Sequence, residues 1–169
     1  TAALMAMVSS IATAAFADTY DLNKGSVDIL AEGGEQRITQ WEDKDNNLCV
    51  KDGEGKEIRN RLDDDITLTT KDKDTGKTET AHNTVTIDAK EGNTANVTLD
   101  NVHIEVDPND ATSGAIEIKG DGNTNLELDG DNTVLTECWV GEAHAAIEKA
   151  DKYGTGTLTI KDDVNDDGT

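Results

Sequence analysis

A repeat of about 31 residues constrains the fold of this chain more than any other feature of its sequence. Short runs rich in Val, Ile, Leu and Thr alternate apolar with polar residues and recur between clusters of Gly, Asn and Asp, a pattern typical of half-buried strands separated by turns. Val85, Ile116 and Ile147 mark one series of such runs and are each 31 residues apart. A fixed period of this size indicates one structural unit stacked several times.

Two further series have nearly the same period. The second comprises residues 66–68, 97–99, 126–128 and 158–160, at steps of 31, 29 and 32 residues. The third is weaker and links residues 102–104 to residues 133–135 and then to Val164. Three phased series predict three short strands in each unit.

Other repeat folds with similar periods fit less well. A propeller blade needs about 40 residues and four strands, and ankyrin and tetratricopeptide units are helical. Helical periodicity is confined to a short patch at residues 142–149. We therefore expect an all-β fold, a parallel β-helix or solenoid of about 30-residue coils. Because the last unit stops inside a turn at residues 166–169, we also expect a fragment lacking its C-terminal coils.

The beginning of the chain differs in composition from the rest. Residues 1–17 carry no charge, whereas 30% of the whole chain is charged, and their apolar stretch ends in Ala15-Phe16-Ala17, a small-x-small cleavage pattern. We interpret residues 1–17 as a signal peptide remnant, with a short buried helix as the alternative. Residues 18–61, with strand-like runs at 27–29, 37–39 and 48–50, are then an N-terminal cap or irregular first coil, and residues 62–169 are the coils. A leader predicts a secreted or cell-surface protein without a membrane span.

Charge and cysteine content exclude several classes of function. The chain has 15 Lys and Arg against 36 Asp and Glu, a net charge of −21. Such a charge repels a phosphate backbone, so nucleic acid is not an expected partner. Cys49 and Cys138 are too few for a disulfide scaffold and lack zinc-site spacing. A disulfide between them and two free buried thiols both remain open.

Several segments resemble a known family. The segments at residues 96–104, 125–134 and 156–160 are similar to coils of secreted pectate-lyase-like β-helix proteins of Gram-positive bacteria, some of them described as carbohydrate-binding domain proteins. The resemblance covers roughly residues 62–169. It implies an extracellular right-handed parallel β-helix that binds acidic plant polysaccharide, sometimes with calcium, and it does not imply catalysis.

Two groups of acidic residues are candidate calcium ligands. Asp163, Asn165 and Asp167, followed by Gly168, match the first half of a D-x-[DN]-x-[DN]-G loop, and the alternative is an ordinary acidic turn. The second group follows the second strand of successive units, at matched positions that we expect to stack about 4.8 Å apart. It comprises Asp100, Asp129 and Asp162. Repulsion between stacked carboxylates favours a bound cation, although a solvated acidic face is the competing interpretation.

A sugar site requires an aromatic platform with polar groups around it. Trp139 and Tyr153 fall in one long excursion, where Lys149 or Lys152 could meet a uronate carboxylate. Burial of these aromatic rings against the wall of the fold is the alternative. Trp41 is the remaining large aromatic residue after the leader apart from Tyr20.

The expected function is therefore a non-catalytic extracellular module that binds acidic polysaccharide such as polygalacturonate, with calcium assistance. The alternative is a bacterial surface adhesin or structural display module that binds a host protein. A polysaccharide lyase is the third interpretation, and the resemblance implies that it would need an Arg or Lys base beside a calcium-carboxylate cluster. Catalysis is not expected, because the three arginines all precede the regular units and no nucleophile, base and orienting acid have informative spacing.

Overall fold

The secondary structure is almost entirely β. The computed structural model describes residues 18–41, 57–106, 114–136, 144–149 and 154–162. Besides one 3-10 turn at Leu22–Lys24, these ranges contain thirteen strands. The strands are β1 (Asp18–Asp21), β2 (Val27–Glu32), β3 (Glu35–Trp41), β4 (Glu57–Leu62), β5 (Ile66–Thr69), β6 (Val85–Ala89), β7 (Thr94–Asp100), β8 (His103–Val106), β9 (Ile116–Lys119), β10 (Asn123–Asp129), β11 (Thr133–Thr136), β12 (Ile147–Glu148) and β13 (Leu158–Asp162). The expected all-β class is confirmed.

The strands form three sheets in which parallel pairing dominates. The first sheet has the order β1-β5-β7-β10-β13 and is parallel throughout. The second has the order β12-β9-β6-β2-β3-β4, with β3 and β4 antiparallel to their neighbours. The third pairs β8 with β11 in parallel, and an isolated bridge adds Ala81 beside Ile104. From β6 onward the chain passes through the second, first and third sheets in turn, so successive repeats contribute neighbouring strands.

The register confirms most of the predicted repeat. Val85 pairs with Ile116 and Ile116 with Ile147, at the expected step of 31 residues. Ile66 likewise pairs with Val97, and Val97 with Leu126.

The predicted last step of the second series is wrong, because Ile160, and not Leu158, lies beside Leu126. A slip of two residues leaves the same side chains facing inward, so apolar alternation does not distinguish the two registers. The preceding turn fixes the register instead. A Cβ on Gly156 would lie only 1.5 Å from the carbonyl oxygen of Gly122, so these two glycines stack backbone to backbone.

Inward-facing aliphatic rows make up the core. Side chains alternate between buried and more exposed along most strands, as in β7, where Ala95, Val97 and Leu99 are buried and the residues between them are not. Corresponding residues of neighbouring strands stack in rows, for example Ile29, Ile87 and Ile118. The rows explain why Val, Ile and Leu recur at a fixed period in the sequence.

A hairpin extends the second sheet beyond the parallel strands. β3 turns its buried face, Gln36, Ile38 and Gln40, toward the core. Gln36 Nε2 donates to the carbonyl oxygens of Asp63 (3.2 Å) and Asn96 (2.9 Å), while its Oε1 accepts from Asn96 N (2.7 Å). The side-chain amide therefore supplies bonds that a neighbouring strand would supply in a continuous sheet.

Side chains of β4 tie the hairpin to β1. The Arg59 guanidinium lies 5.5 Å from the centre of the Tyr20 ring, and Arg61 Nη1 lies 2.7 Å from Asp18 Oδ2. The hydroxyl of the fully buried Tyr20 donates to Oδ2 of the buried Asp63 (2.8 Å). Burial, followed by the hydrogen bond to the Asp63 carboxylate, raises the pKa of Tyr20 well above its usual value. These contacts hold the hairpin against the first strand of the first sheet.

Candidate ligand-binding faces

Several residues selected from the sequence lie outside the described ranges. They are Trp139, Tyr153, Lys152, Asp163, Asn165, Asp167, Val164, Cys49, Cys138, residues 48–50 and residues 1–17. The predictions that rest on them therefore stay predictions.

Lys149 follows β12, and its Nζ is buried without a hydrogen-bond partner within the described part of the chain. Nearby, the backbone nitrogen and hydroxyl of Thr155 both donate to Asp121 Oδ1, at 2.9 and 3.0 Å. These two bonds lower the pKa of Asp121, and the positive charge of Lys149 makes a smaller contribution in the same direction. Lys149 thus lies near an acidic turn.

The expected row of aspartates is present in part. Asp100 and Asp129 are register partners on the outward side of β7 and β10. Asp162 differs from the expectation, because it lies beside Leu128, one position away from Asp129, in a row that faces inward in the preceding strands. The cause is the same two-residue difference in the register of β13. The described part of the row continues from Asp100 through Thr69 to Asp21.

Asp100 and Asp129 stand out for their electrostatics. Two pairs of like charges face each other across the parallel strands described, and the other is Glu117 with Glu148. Glu117 has a cation at 2.7 Å, Lys119 Nζ, and Glu148 has the imidazole of His144 at 2.8 Å. The carboxylate of Asp100 accepts instead from the neutral amide of Asn101 (2.6 Å). The Asp100 and Asp129 pair is therefore the one that is not compensated by a basic side chain among the described residues.

The outward face of the first sheet carries other rows of short polar groups beside these aspartates. Asn96, Asn125 and Thr159 form one row, in which Asn125 Nδ2 donates to Asn96 Oδ1 (2.9 Å). In the next row Asn123 Oδ1 accepts from the backbone nitrogen and the hydroxyl of Thr157, at 3.1 and 2.8 Å. Adjacent strands lie about 4.8 Å apart, so this face presents amides, hydroxyls and carboxylates at a regular spacing.

A second candidate face lies on the hairpin and was not selected from the sequence. Arg37, Thr39 and Trp41 alternate with the buried residues of β3 and therefore share its outward side, where Asn60 of β4 lies beside Thr39. The signal that could have found it is the spacing Arg-x-Thr-x-Trp, which places three polar or aromatic side chains on one side of a strand.

A shallow groove of about 280 Å³ lies between the hairpin turn and the turn before β7. Its lining consists of Gly34, Glu35, Gln36, Asp64, Gly92, Asn93, Thr94 and Asn96. The backbone nitrogen of Gly34 donates to Asn93 Oδ1 (2.8 Å) and joins the two turns. Two carboxylates and no basic or aromatic side chain line this groove, so it offers little to an anionic or a stacking ligand.

Metal and membrane features are limited in the described part of the chain. Within the described ranges, no group of three or more His, Cys, Asp or Glu residues is arranged to hold a metal ion. The same ranges contain no helix of the length and hydropathy needed to cross a membrane. Comparison with known proteins finds no match, since no family model, no curated protein and no solved structure is similar to this chain.

Proposed function

We propose that this chain is an extracellular, non-catalytic module with a right-handed parallel β-helix architecture that binds acidic polysaccharide with the assistance of calcium. The architecture is supported by the passage of the chain through three sheets in a constant order, with one repeat paired in parallel to the next. The right hand is supported by the general preference of parallel crossover connections for that hand.

The uncompensated pair of Asp100 and Asp129 carries the binding proposal. Two carboxylates about one strand spacing apart repel each other unless a cation lies between them. Carboxylate oxygens are the ligands that calcium prefers, and calcium takes six to eight oxygen ligands. Asp100 and Asp129 would hold the ion, and a carboxylate of the polysaccharide would supply further oxygens. A protein with a net charge of −21 needs such a bridging cation to hold an anionic polymer.

The polar rows next to these aspartates support a polymeric ligand. Asn96, Asn125 and Asn123 present amides at intervals set by the strands, so a repeating chain of sugars meets a repeating set of donors and acceptors. Water-exposed amide and hydroxyl contacts are individually weak, since each contributes about 1 kcal/mol. Retention of a polymer would therefore depend on many contacts made together.

Retention of the purified protein on de-esterified polygalacturonate and on a neutral glucan tests this proposal, first with calcium and then with a chelator. We expect retention on the acidic polymer only, weakened by the chelator. An Asp100→Asn, Asp129→Asn double variant keeps the size of both side chains and should lose the effect of calcium. An Asp88→Asn variant is the matched control, because Asp88 lies on the second sheet and already has Lys90 at 2.6 Å.

Two results would overturn the proposal. Absence of retention on either polymer would favour a surface adhesin or display module that binds a host protein. New unsaturated sugar ends, detected by ultraviolet absorbance with calcium present, would favour a polysaccharide lyase and remove the non-catalytic assignment. Secretion is tested separately by locating the full-length protein in culture medium, wall and cytoplasmic fractions.

A further inference from the structure

The outward face of the hairpin places an aromatic ring and a guanidinium in one line. Arg37, Thr39 and Trp41 occupy alternate positions of β3, so neighbouring members of the line are about 6.8 Å apart and its two ends about 14 Å apart. Asn60 on β4 is the register partner of Thr39 and widens the line with an exposed amide. A ring, a hydroxyl, an amide and a cation thus share one side of a two-stranded surface.

A β-bulge and a hydrogen bond orient Trp41. The register between β3 and β4 shifts between Gln40 and Trp41, and such bulges bend a strand and redirect its side chains. Trp41 Nε1 donates to Asp28 Oδ2 at 2.6 Å. The polar edge of the indole is therefore held by the protein, while the side chain remains partly exposed. A ring fixed by its edge can stack by its face on the apolar side of a sugar.

Arg37 differs from the other two arginines in its surroundings. Arg59 lies over the Tyr20 ring and Arg61 pairs with Asp18, so both serve the attachment of the hairpin. Arg37 is exposed, and its Nη1 donates to the neutral Oδ1 of Asn60 at 2.6 Å. A guanidinium has five donors in a planar fork that fits a carboxylate. Arg37 thus keeps its charge and most of its donors for a ligand.

We propose that Arg37, Thr39, Trp41 and Asn60 form a uronic-acid subsite. Trp41 stacks on one sugar ring, Arg37 pairs with the carboxylate of another, and Thr39 and Asn60 bond to hydroxyl groups between them. The acidic side chain of Glu35 lies one alternate position beyond Arg37, so repulsion directs the saccharide from Arg37 toward Trp41. This inference rests on the proposed function, and it adds a second site that needs no metal.

Fluorescence titration with trigalacturonate tests the subsite. A Trp139→Phe background leaves Trp41 as the single tryptophan, and chelator removes any contribution from calcium. We expect saturable quenching or a wavelength shift with trigalacturonate and a response at least tenfold weaker in concentration with a neutral trisaccharide. Arg37→Ala should weaken binding at least tenfold, and Arg37→Lys should restore part of it, because Lys keeps the charge without the planar fork.

Matched controls separate this site from general effects of charge. Lys161→Ala removes an exposed cation from the first sheet, and it should leave the affinity for trigalacturonate within twofold. Retention of Arg37→Ala and Trp41→Phe on polygalacturonate, each without the Trp139 change, gives a second measurement that does not need the fluorescent background.

The outcomes distinguish the subsite from the function on which it rests. If the intact protein is retained on polygalacturonate while Arg37→Ala binds as well as Lys161→Ala, the subsite is wrong and the function stands. If the intact protein is not retained at all, the function is wrong and the subsite falls with it. Equal affinity for the neutral trisaccharide would overturn the assignment to uronic acids.

Discussion

Replacement of Gln36 should destabilise the fold far more than replacement of a surface glutamine. Its side chain is only 4% exposed and makes three hydrogen bonds to backbone groups of Asp63 and Asn96. Gln36→Leu keeps the approximate volume of the side chain and removes all three bonds. The two carbonyl oxygens and the amide nitrogen then lose their partner at the edge of the core.

The expected cost follows from the number of bonds. A neutral hydrogen bond contributes about 1 kcal/mol net, and a buried group left without a partner costs about 1–3 kcal/mol. Gln36 and Asn96 also line the groove of about 280 Å³, so water reaches part of the exposed backbone and reduces the cost. We therefore expect Gln36→Leu to lower the free energy of unfolding by about 2–4 kcal/mol.

Gln36→Glu provides a matched variant with an internal test of sign. One carboxylate oxygen can still accept from Asn96 N, but the other faces the two carbonyl oxygens to which Gln36 donates. The folded state therefore favours the protonated carboxyl and raises its pKa above the usual value of about 4.3. The extra stability is present below pH 4.3 and is lost as pH rises through the raised pKa.

Urea unfolding followed by circular dichroism at pH 4 and pH 7 measures both effects. At pH 7 the Glu variant should be less stable than the Leu variant, and the difference should shrink or reverse at pH 4. A Leu variant within 0.5 kcal/mol of the original protein would refute the assigned role, taking ordinary surface changes as the reference. Parallel pH dependence of the two variants would also refute it.

Three further predictions concern the buried hydroxyl, a turn and the core. Tyr20→Phe should cost about 1.5–3 kcal/mol, since the hydroxyl donates to a buried carboxylate; because the pKa of Tyr20 is raised, the original protein should also lose stability above about pH 10 relative to this variant, as alkaline unfolding curves would show. Gly122→Ala should cost about 3 kcal/mol or more by urea unfolding, because its Cβ would lie 2.3 Å from a carbonyl oxygen, whereas Gly92→Ala meets no atom within 4 Å and should cost only about 1–2 kcal/mol for its positive φ. Ile87→Ala should cost about 2–5 kcal/mol in the same assay and Ile160→Ala less than about 1 kcal/mol, since the first is fully buried and the second is 48% exposed; similar losses for both would contradict the described core.

The repeat could be predicted from the sequence because its inward positions are apolar and alternate strictly with polar ones. Val85, Ile116 and Ile147 reveal the stacking of the second sheet directly. The hairpin was harder to predict, since Gln36 and Gln40 are buried and polar, and they hide the apolar face that usually identifies a strand. Their burial depends on carbonyl partners far along the chain, which no local pattern contains.

The candidate faces were predictable to different extents. The pairing of Asp100 with Asp129 follows from the period, whereas the displacement of Asp162 depends on stacking of glycine turns that apolar alternation does not report. The outward line containing Arg37 and Trp41 could be read as alternation, but its exposure depends on which side of β3 meets the core. That choice is fixed only when the hairpin packs.

The two proposed sites meet an anionic ligand in opposite ways, and this difference makes them separable. Asp100 and Asp129 carry the same sign of charge as a uronate, so they can contribute to binding only through a cation. Arg37 carries the opposite sign and can pair with a carboxylate directly. Chelator should therefore abolish the contribution of the first sheet and leave that of the hairpin, while higher monovalent salt should weaken the hairpin site by screening. A protein that lost all retention in chelator would assign binding to the aspartates alone, and one that was unaffected by chelator would assign it to the hairpin.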